Sequence, residues 1–263
     1  MAFLQKGNMR KLLLATLTAC FILTSCKGDE TLYYNNITMG NIDGSYIVSD
    51  QGNKFEISES LVNVDFSKMG YGRVILSCDV LKKIENDLYT IRLTNIASVL
   101  TKDIIAAESI TPEQNVLNID NPVIIKEVWY GGGYINMLLQ IAVKKGSETI
   151  HYINLVYDGS ETDQDGIVTY SLSLRHNASG DTPTEEDLET YALSHNYVSF
   201  PIAKLIEPET AKITLNWTSH KLENGVYLAL ESEKSKSTFN WKRTGFIHPQ
   251  KNSISASPAV CIK

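Results

Sequence analysis

The stretch that decides the fold class is Arg73-Val74-Ile75-Leu76-Ser77-Cys78-Asp79-Val80-Leu81, followed across Glu85-Asn86-Asp87 by Leu88-Tyr89-Thr90-Ile91-Arg92-Leu93. Its apolar residues alternate with period two and are bounded by turn-forming residues, which is the signature of strands with one buried face. The first run follows a Gly70-Tyr71-Gly72 break and is long enough to curl around a small barrel. The second pairs with it as a hairpin.

Working outward, Ser45-Tyr46-Ile47-Val48 and Lys54-Phe55-Glu56-Ile57 flank Asp50-Gln51-Gly52-Asn53, another hairpin, and Ala97-Ser98-Val99-Leu100-Thr101 supplies a fifth strand. Five short strands in this space suit a small barrel. Between Glu108 and Pro122 the pattern lapses, and Pro112 and Pro122 interrupt ladder hydrogen bonding, which sets the domain boundary there. Strands then recur at Val123 to Tyr130, Tyr134 to Lys144, Thr149 to Tyr157, Val168 to His176, Ala211 to Trp217 and Val226 to Glu231. This spacing predicts an antiparallel β-sandwich. Thr182-Pro183-Thr184-Glu185 carries an N-cap, a proline at the first helical position and an acid three residues after the cap, predicting one short helix that ends near Leu193.

The first thirty residues carry an address. Arg10 and Lys11 precede an apolar run from Leu12 to Leu23, too short for the ~20 residues of a membrane span. Met9-Arg10-Lys11 makes a more typical signal-peptide start than Met1. The run ends in Leu23-Thr24-Ser25-Cys26, a bacterial lipobox in which Cys26 supplies the thiol for lipidation. Residues 1–25 are thus expected to be a lipoprotein signal peptide and residues 26–31 a lipidated cysteine with its tether. Several acyl chains at one end anchor stably, whereas one binds only marginally. Lys27-Gly28-Asp29-Glu30 resembles the surface-export signal of Bacteroidetes lipoproteins, so the expected location is the outer membrane, facing outward.

The formal net charge is -6, and loss of Lys6, Arg10 and Lys11 with the signal peptide takes it to -9. An acidic chain with no basic-aromatic stripe in its first domain is poorly suited to phosphate backbones, so nucleic acid is not expected as a partner. The hydrophobic share of 43% excludes an extended disordered chain. Four cysteines make no disulfide framework. Cys78 sits in a strand pattern, where a free cysteine behaves as a small hydrophobe, and it is not expected to pair with Cys261 in the tail. No cofactor is implied.

Several weak motifs in a fixed order resemble a known family. Gly44-Ser45-Tyr46, Gly72-Arg73-Val74-Ile75-Leu76, Ile91-Arg92-Leu93 and Leu100-Thr101-Lys102-Asp103 look like the amino-terminal domain of NigD-like lipoproteins of Bacteroidetes. Trp129 through Asn136, His151-Tyr152-Ile153-Asn154-Leu155, Leu174-Arg175-His176-Asn177 with Gly180-Asp181, and Val198-Ser199-Phe200-Pro201 are similar to its second domain. The resemblance spans residues 32 to 245. It implies an OB-like barrel followed by a β-sandwich, placed here over 32–118 and 119–248; the last fifteen residues show no pattern and are expected to form a flexible tail over 249–263. Bacteriocin immunity is suggested for the family by its naming gene's position, and no catalytic residues come with it.

Four segments deserve weighing as sites. Trp129-Tyr130-Gly131-Gly132-Gly133-Tyr134 could form a binding rim, since aromatic faces stack on sugars or apolar partners and glycines admit a ligand to the backbone. The competing reading is a hairpin whose aromatics cap the sandwich edge. Arg175, His176 and Asp181 could orient a general base, but no nucleophile motif accompanies them, and a structural role at a turn is the simpler reading. Asp158 to Gly166 concentrates oxygens without the spacing of a calcium loop, so no metal site is assigned. His151 and Asn154 fall on opposite strand faces, and His151 is expected to be packed.

Taken together, the sequence predicts a non-catalytic outer-membrane lipoprotein that binds a bacteriocin, an envelope protein or a glycan. A surface glycan-binding module is the first alternative, and a hydrolase with a dispersed site the second.

Overall fold

The computed structural model describes residues 38–65, 72–223 and 227–242. The signal peptide, Cys26 and its tether, Cys261 and the tail over 249–263 lie outside them.

The first five strands are β1 (Thr38–Asp43), β2 (Tyr46–Ser49), β3 (Lys54–Ser60), β4 (Arg73–Glu85) and β5 (Leu88–Ser98). They close in the order β1-β2-β3-β5-β4, with β1 paired back onto β4. Only β3 and β5 run parallel. This is a five-stranded barrel of the OB type. Val74, Leu76, Cys78 and Val80 alternate inward along β4 and meet Ile47, Phe55, Ile91 and Leu93 in the barrel core. Three register shifts between β4 and β5 add the local twist that a long strand needs to wrap a small barrel. The free Cys78 thiol belongs to this core, where burial pushes its pKa up to about 11.

Barrel closure differs from the expected pairing. Ala97-Ser98 completes β5, and the closing strand is Thr38–Asp43, which has little apolar alternation and is held by its ladder to β4. The next residues leave the barrel. β6 (Leu100–Thr101) pairs with β12 and β7 (Ile105–Ala106) with β10, so the chain joins the sandwich from Leu100, earlier than the prolines suggest.

The sandwich strands are β8 (Ile124–Gly131), β9 (Tyr134–Lys144), β10 (Tyr152–Thr162), β11 (Val168–Asn177), β12 (Tyr191–Pro201), β13 (Thr210–Glu223) and β14 (Tyr227–Lys242). They form a five-stranded sheet β14-β13-β11-β10-β7 and a four-stranded sheet β6-β12-β9-β8. The long ladders are antiparallel except β11 with β13. Inward residues from both sheets, including Ile135, Met137, Leu139, Leu172, Leu174, Phe200, Ile213 and Leu215, make the main core.

The helix expected after Thr182 is not formed. In its place the Asp187 carboxylate accepts from the Thr184 N–H and hydroxyl, each at 2.8 Å, and closes a turn. One 3-10 turn over Leu188–Thr190 follows. Tyr191 to Leu193, assigned to that helix from sequence, begin the eleven-pair ladder between β12 and β9. The local capping signal is real, but no apolar helical face backs it, and strand pairing prevails.

Candidate functional site

The hairpin between β8 and β9 sends its three aromatics to different places. Trp129 lies on the outer face of the four-stranded sheet, where it meets the Tyr197 ring edge-on at 6.3 Å and packs with the barrel residues Met39 and Ile75. Tyr134 lies under the guanidinium of Arg73, 4.1 Å from ring centroid to carbon. Tyr130 points the opposite way, between the sheets.

Arg73 joins the two halves. The alternation that sends Val74 and Leu76 into the barrel core sends Arg73 and Ile75 toward the sandwich. Arg73 is 1% exposed and spends every N–H it has. Two parallel bonds of 2.9 and 2.8 Å reach the Asp50 carboxylate. Nε donates to Ser199 Oγ at 2.9 Å, and the remaining Nη protons go to Asn41 Oδ1 and Asn136 Oδ1. Ser199 in turn donates to Asn136 Oδ1. The glycines of the hairpin follow from this. A Cβ on Gly131 or Gly132 would lie 2.6 or 2.5 Å from a carboxylate oxygen of Asp50, and Gly132 also has φ +58°. They make room for the barrel. Neither Arg73 nor Asp50 is legible as a buried pair from sequence, since Asp50 lies in the turn after β2 and Arg73 opens β4, and only the closed barrel brings them together.

His176 and Asp181 are brought close, but through His151. His151 Nε2 lies 3.2 Å from Asp181 Oδ2, and His151 Nδ1 lies 3.0 Å from His176 Nε2. His176 Nδ1 must donate to the Pro122 carbonyl at 3.1 Å, which leaves its Nε2 to accept from His151. His151 Nε2, on the other side of the ring, faces the Asp181 carboxylate. Burial and the neighbouring His151 push the pKa of His176 down to about 4. Burial works to raise that of Asp181, but hydrogen bonds from His151 and Tyr191 outweigh it and leave it below the usual carboxylate value. All three side chains are buried, so this constellation is sealed.

Tyr130 and Arg175 line hollows. A cavity of about 320 Å³ opens at the rim of the sandwich between β8, β13 and β14, walled by Ile125, Val128, Tyr130, Leu215, Trp217 and Phe239. Lys126, Glu127 and Ser237 complete its lining. Tyr130 and Phe239 rings lie 5.5 Å apart, and Tyr130 is 6% exposed. Tyr130 Oη and Trp217 Nε1 are buried without a hydrogen-bond partner in the protein. Burial drives the Tyr130 hydroxyl pKa far upward, so the group is a neutral donor. A second cavity of about 410 Å³ is lined by Asp120, Ser173, Arg175, Asn216, Lys234 and Lys236 among others. Asp120 Oδ2 takes Thr218, Lys234 and, at 3.5 Å, Arg175, while Asp120 Oδ1 and Arg175 Nε stay unpaired.

Trp217 and Phe239 were not singled out from the sequence. The signal was the inward parity of Trp217 on its strand, which marks a core residue and does not reveal that its ring borders an opening. In the acidic loop, Asp163 Oδ1 accepts from the backbone of Asp165 and Ile167, and no cluster of metal-ligating side chains occurs among the described residues. Asn154 accepts from Lys102 Nζ.

Residues 106–229 match the NigD-like C-terminal beta sandwich domain. This part of the chain is similar to that domain. The matched residues include the sealed histidine pair and one side of each hollow, whose β14 walls (Phe239 in the first, Lys234 and Lys236 in the second) lie beyond the match, and Asn136 and Ser199 within it receive Arg73 of the barrel. The fold recurs in solved structures. A Bacteroides vulgatus protein of unknown function DUF1344 aligns at TM-score 0.56 and 21% identity, covering 81% of this chain and 96% of its own. A NigD-like immunity protein from Bacteroides caccae aligns at 0.56 and 20%, covering 79% and 96%. A Bacteroides fragilis chain provisionally described as a lipoprotein aligns at 0.52 and 12%, covering 79% and 96%. Comparison with curated proteins returns no match.

Proposed function

We propose that this protein is an outward-facing outer-membrane lipoprotein that binds its partner without transforming it, and that the partner is a bacteriocin or its receptor. The observation that carries this reading is the contrast between sealed and open chemistry in the β-sandwich. The His151–His176–Asp181 chain, the best general-base candidate, is buried and fully engaged, whereas residues that line the hollows carry polar atoms, Tyr130 Oη, Trp217 Nε1 and Arg175 Nε, that are buried without a partner in the protein. A site with apolar walls and a few convergent polar groups is built for recognition. The lipobox at Cys26 supports the anchor, and the B. caccae immunity protein and the B. fragilis chain support the partner class and the lipid.

Protease shaving of intact cells, with Cys26→Ala as the anchoring control, tests the display. Digestion before permeabilisation is the expected result, and protection until permeabilisation would turn the protein inward. Deleting the gene should raise sensitivity to bacteriocins of neighbouring strains. Unchanged sensitivity across such a panel removes the immunity role.

A further inference from the structure

We infer that the rim hollow of the β-sandwich binds one neutral pyranose ring, with the sugar stacked among Tyr130, Trp217 and Phe239 and its hydroxyls engaging Tyr130 Oη and Trp217 Nε1. The inference deepens the reading of the protein as a binding module and rests on it.

Chemistry narrows the occupant in three steps. Tyr130 Oη and Trp217 Nε1 are buried donors with no partner in the protein, and leaving such groups unmet costs more than an ordinary hydrogen bond returns. A purely apolar occupant, such as a leucine side chain or an acyl chain, would fill the walls and leave both donors unmet. The occupant therefore carries oxygen at its buried end. The walls are aromatic and aliphatic, so the same occupant presents an apolar face, and a pyranose has C–H faces with hydroxyls around its edge. Lys126 and Glu127 flank the opening with opposite charges, so the site offers no net charge to an ionised sugar. The volume of about 320 Å³ is at the small end for a ligand pocket, which suits one ring and not a chain of rings.

Tyr130 alone of the hairpin aromatics is free for this. Trp129 is committed to the packing between barrel and sandwich, and Tyr134 to Arg73. The hollow also lies on the side of the four-stranded sheet away from the barrel, because Tyr130 and Trp129 alternate across β8.

The test titrates the full-length protein in detergent with the methyl glycosides of glucose, galactose, mannose and N-acetylglucosamine, followed by saturation-transfer NMR. At least one should bind, with the ring C–H protons of one face nearest the protein. Tyr130→Phe and Trp217→Phe each keep an aromatic ring and delete one donor, and each should weaken that binding about tenfold. N-acetyl-tyrosinamide serves as the peptide-like probe of the same size. Absence of binding by all four glycosides overturns the inference, as does binding that neither variant weakens. Binding of the tyrosine probe in place of any sugar also overturns it and makes the occupant a peptide side chain. Bacteriocin sensitivity of cells carrying the same variants separates the two readings. Cells that stay protected while no sugar binds sink only this inference, and sugar binding without protection sinks only the immunity role.

Discussion

The contact between barrel and sandwich and the rim hollow both bury polar side chains beside aromatic rings, yet they differ in one respect. Around Arg73 every guanidinium proton has an acceptor, whereas Tyr130 Oη and Trp217 Nε1 have no partner. A buried polar network that is fully satisfied fixes geometry, and one left incomplete either costs stability or awaits something that completes it. The first kind identifies structure and the second identifies a place to look for function. The same distinction sets the histidine chain with the clamp, since His151, His176 and Asp181 are all engaged.

The largest effect should come from breaking the clamp. Asp50→Ala leaves Arg73 buried with an unneutralised charge, and removing one partner of such a pair costs about 3–5 kcal/mol. Denaturant unfolding should show that loss, and Arg73→Met with Asp50→Ala together should restore much of it. A double variant as unstable as Asp50→Ala alone would show that the pair does more than neutralise itself.

Next in size is a dependence on pH. His176 is neutral in the fold with a pKa of about 4, below its unfolded value of about 6.5. Its contribution is present in full above pH 6.5 and is lost as pH falls toward 4, a loss of roughly 3 kcal/mol. Asp181, also depressed, adds a loss in the same direction only below its ordinary value of 3.8, outside this window. Unfolding midpoints measured across that window should fall with acid for the native protein and fall less for His176→Gln. Equal slopes would mean that His176 does not titrate in this range. A smaller loss, of about 2 kcal/mol, is expected for Gly132→Ala, where a left-handed backbone coincides with the approach of Asp50. In an Asp50→Ala background the steric part should vanish and the backbone part of about 1 kcal/mol remain.

What the sequence revealed follows the range of the interactions. Period-two alternation in β4, β5 and β9 is local and gave the strands, and the alternation of Val74, Leu76, Cys78 and Val80 gave the barrel core. β1 closes the barrel through a partner more than thirty residues away and has almost no alternation of its own, so it was not legible. The helix at Thr182 was over-read because its capping residues are local while the ladder that displaced it is not. At the candidate site, WYGGGY was legible as unusual but not as a hairpin serving three neighbours. Gly131 and Gly132 answer to Asp50, about eighty residues earlier, and its middle aromatic to Trp217 and Phe239, about a hundred residues later.

The smallest expected change is the one that separates the two regions by sign. Tyr130→Phe removes only an oxygen that nothing in the protein pairs, so the stability of the unliganded chain should stay level or rise by up to about 1 kcal/mol. The corresponding deletion at the clamp, Ser199→Ala, takes a partner from Arg73 Nε and from Asn136, and should lower stability by about 1–2 kcal/mol. Both side chains are buried, both lose one hydroxyl, and both sit in the same domain. Thermal unfolding of the two variants side by side therefore asks a single question of hydrogen bonding. Opposite shifts would mark the hollow as a site kept at a cost to the fold. A Tyr130→Phe loss equal to that of Ser199→Ala would mean that solvent already completes the hollow, and the distinction between the two regions would fall.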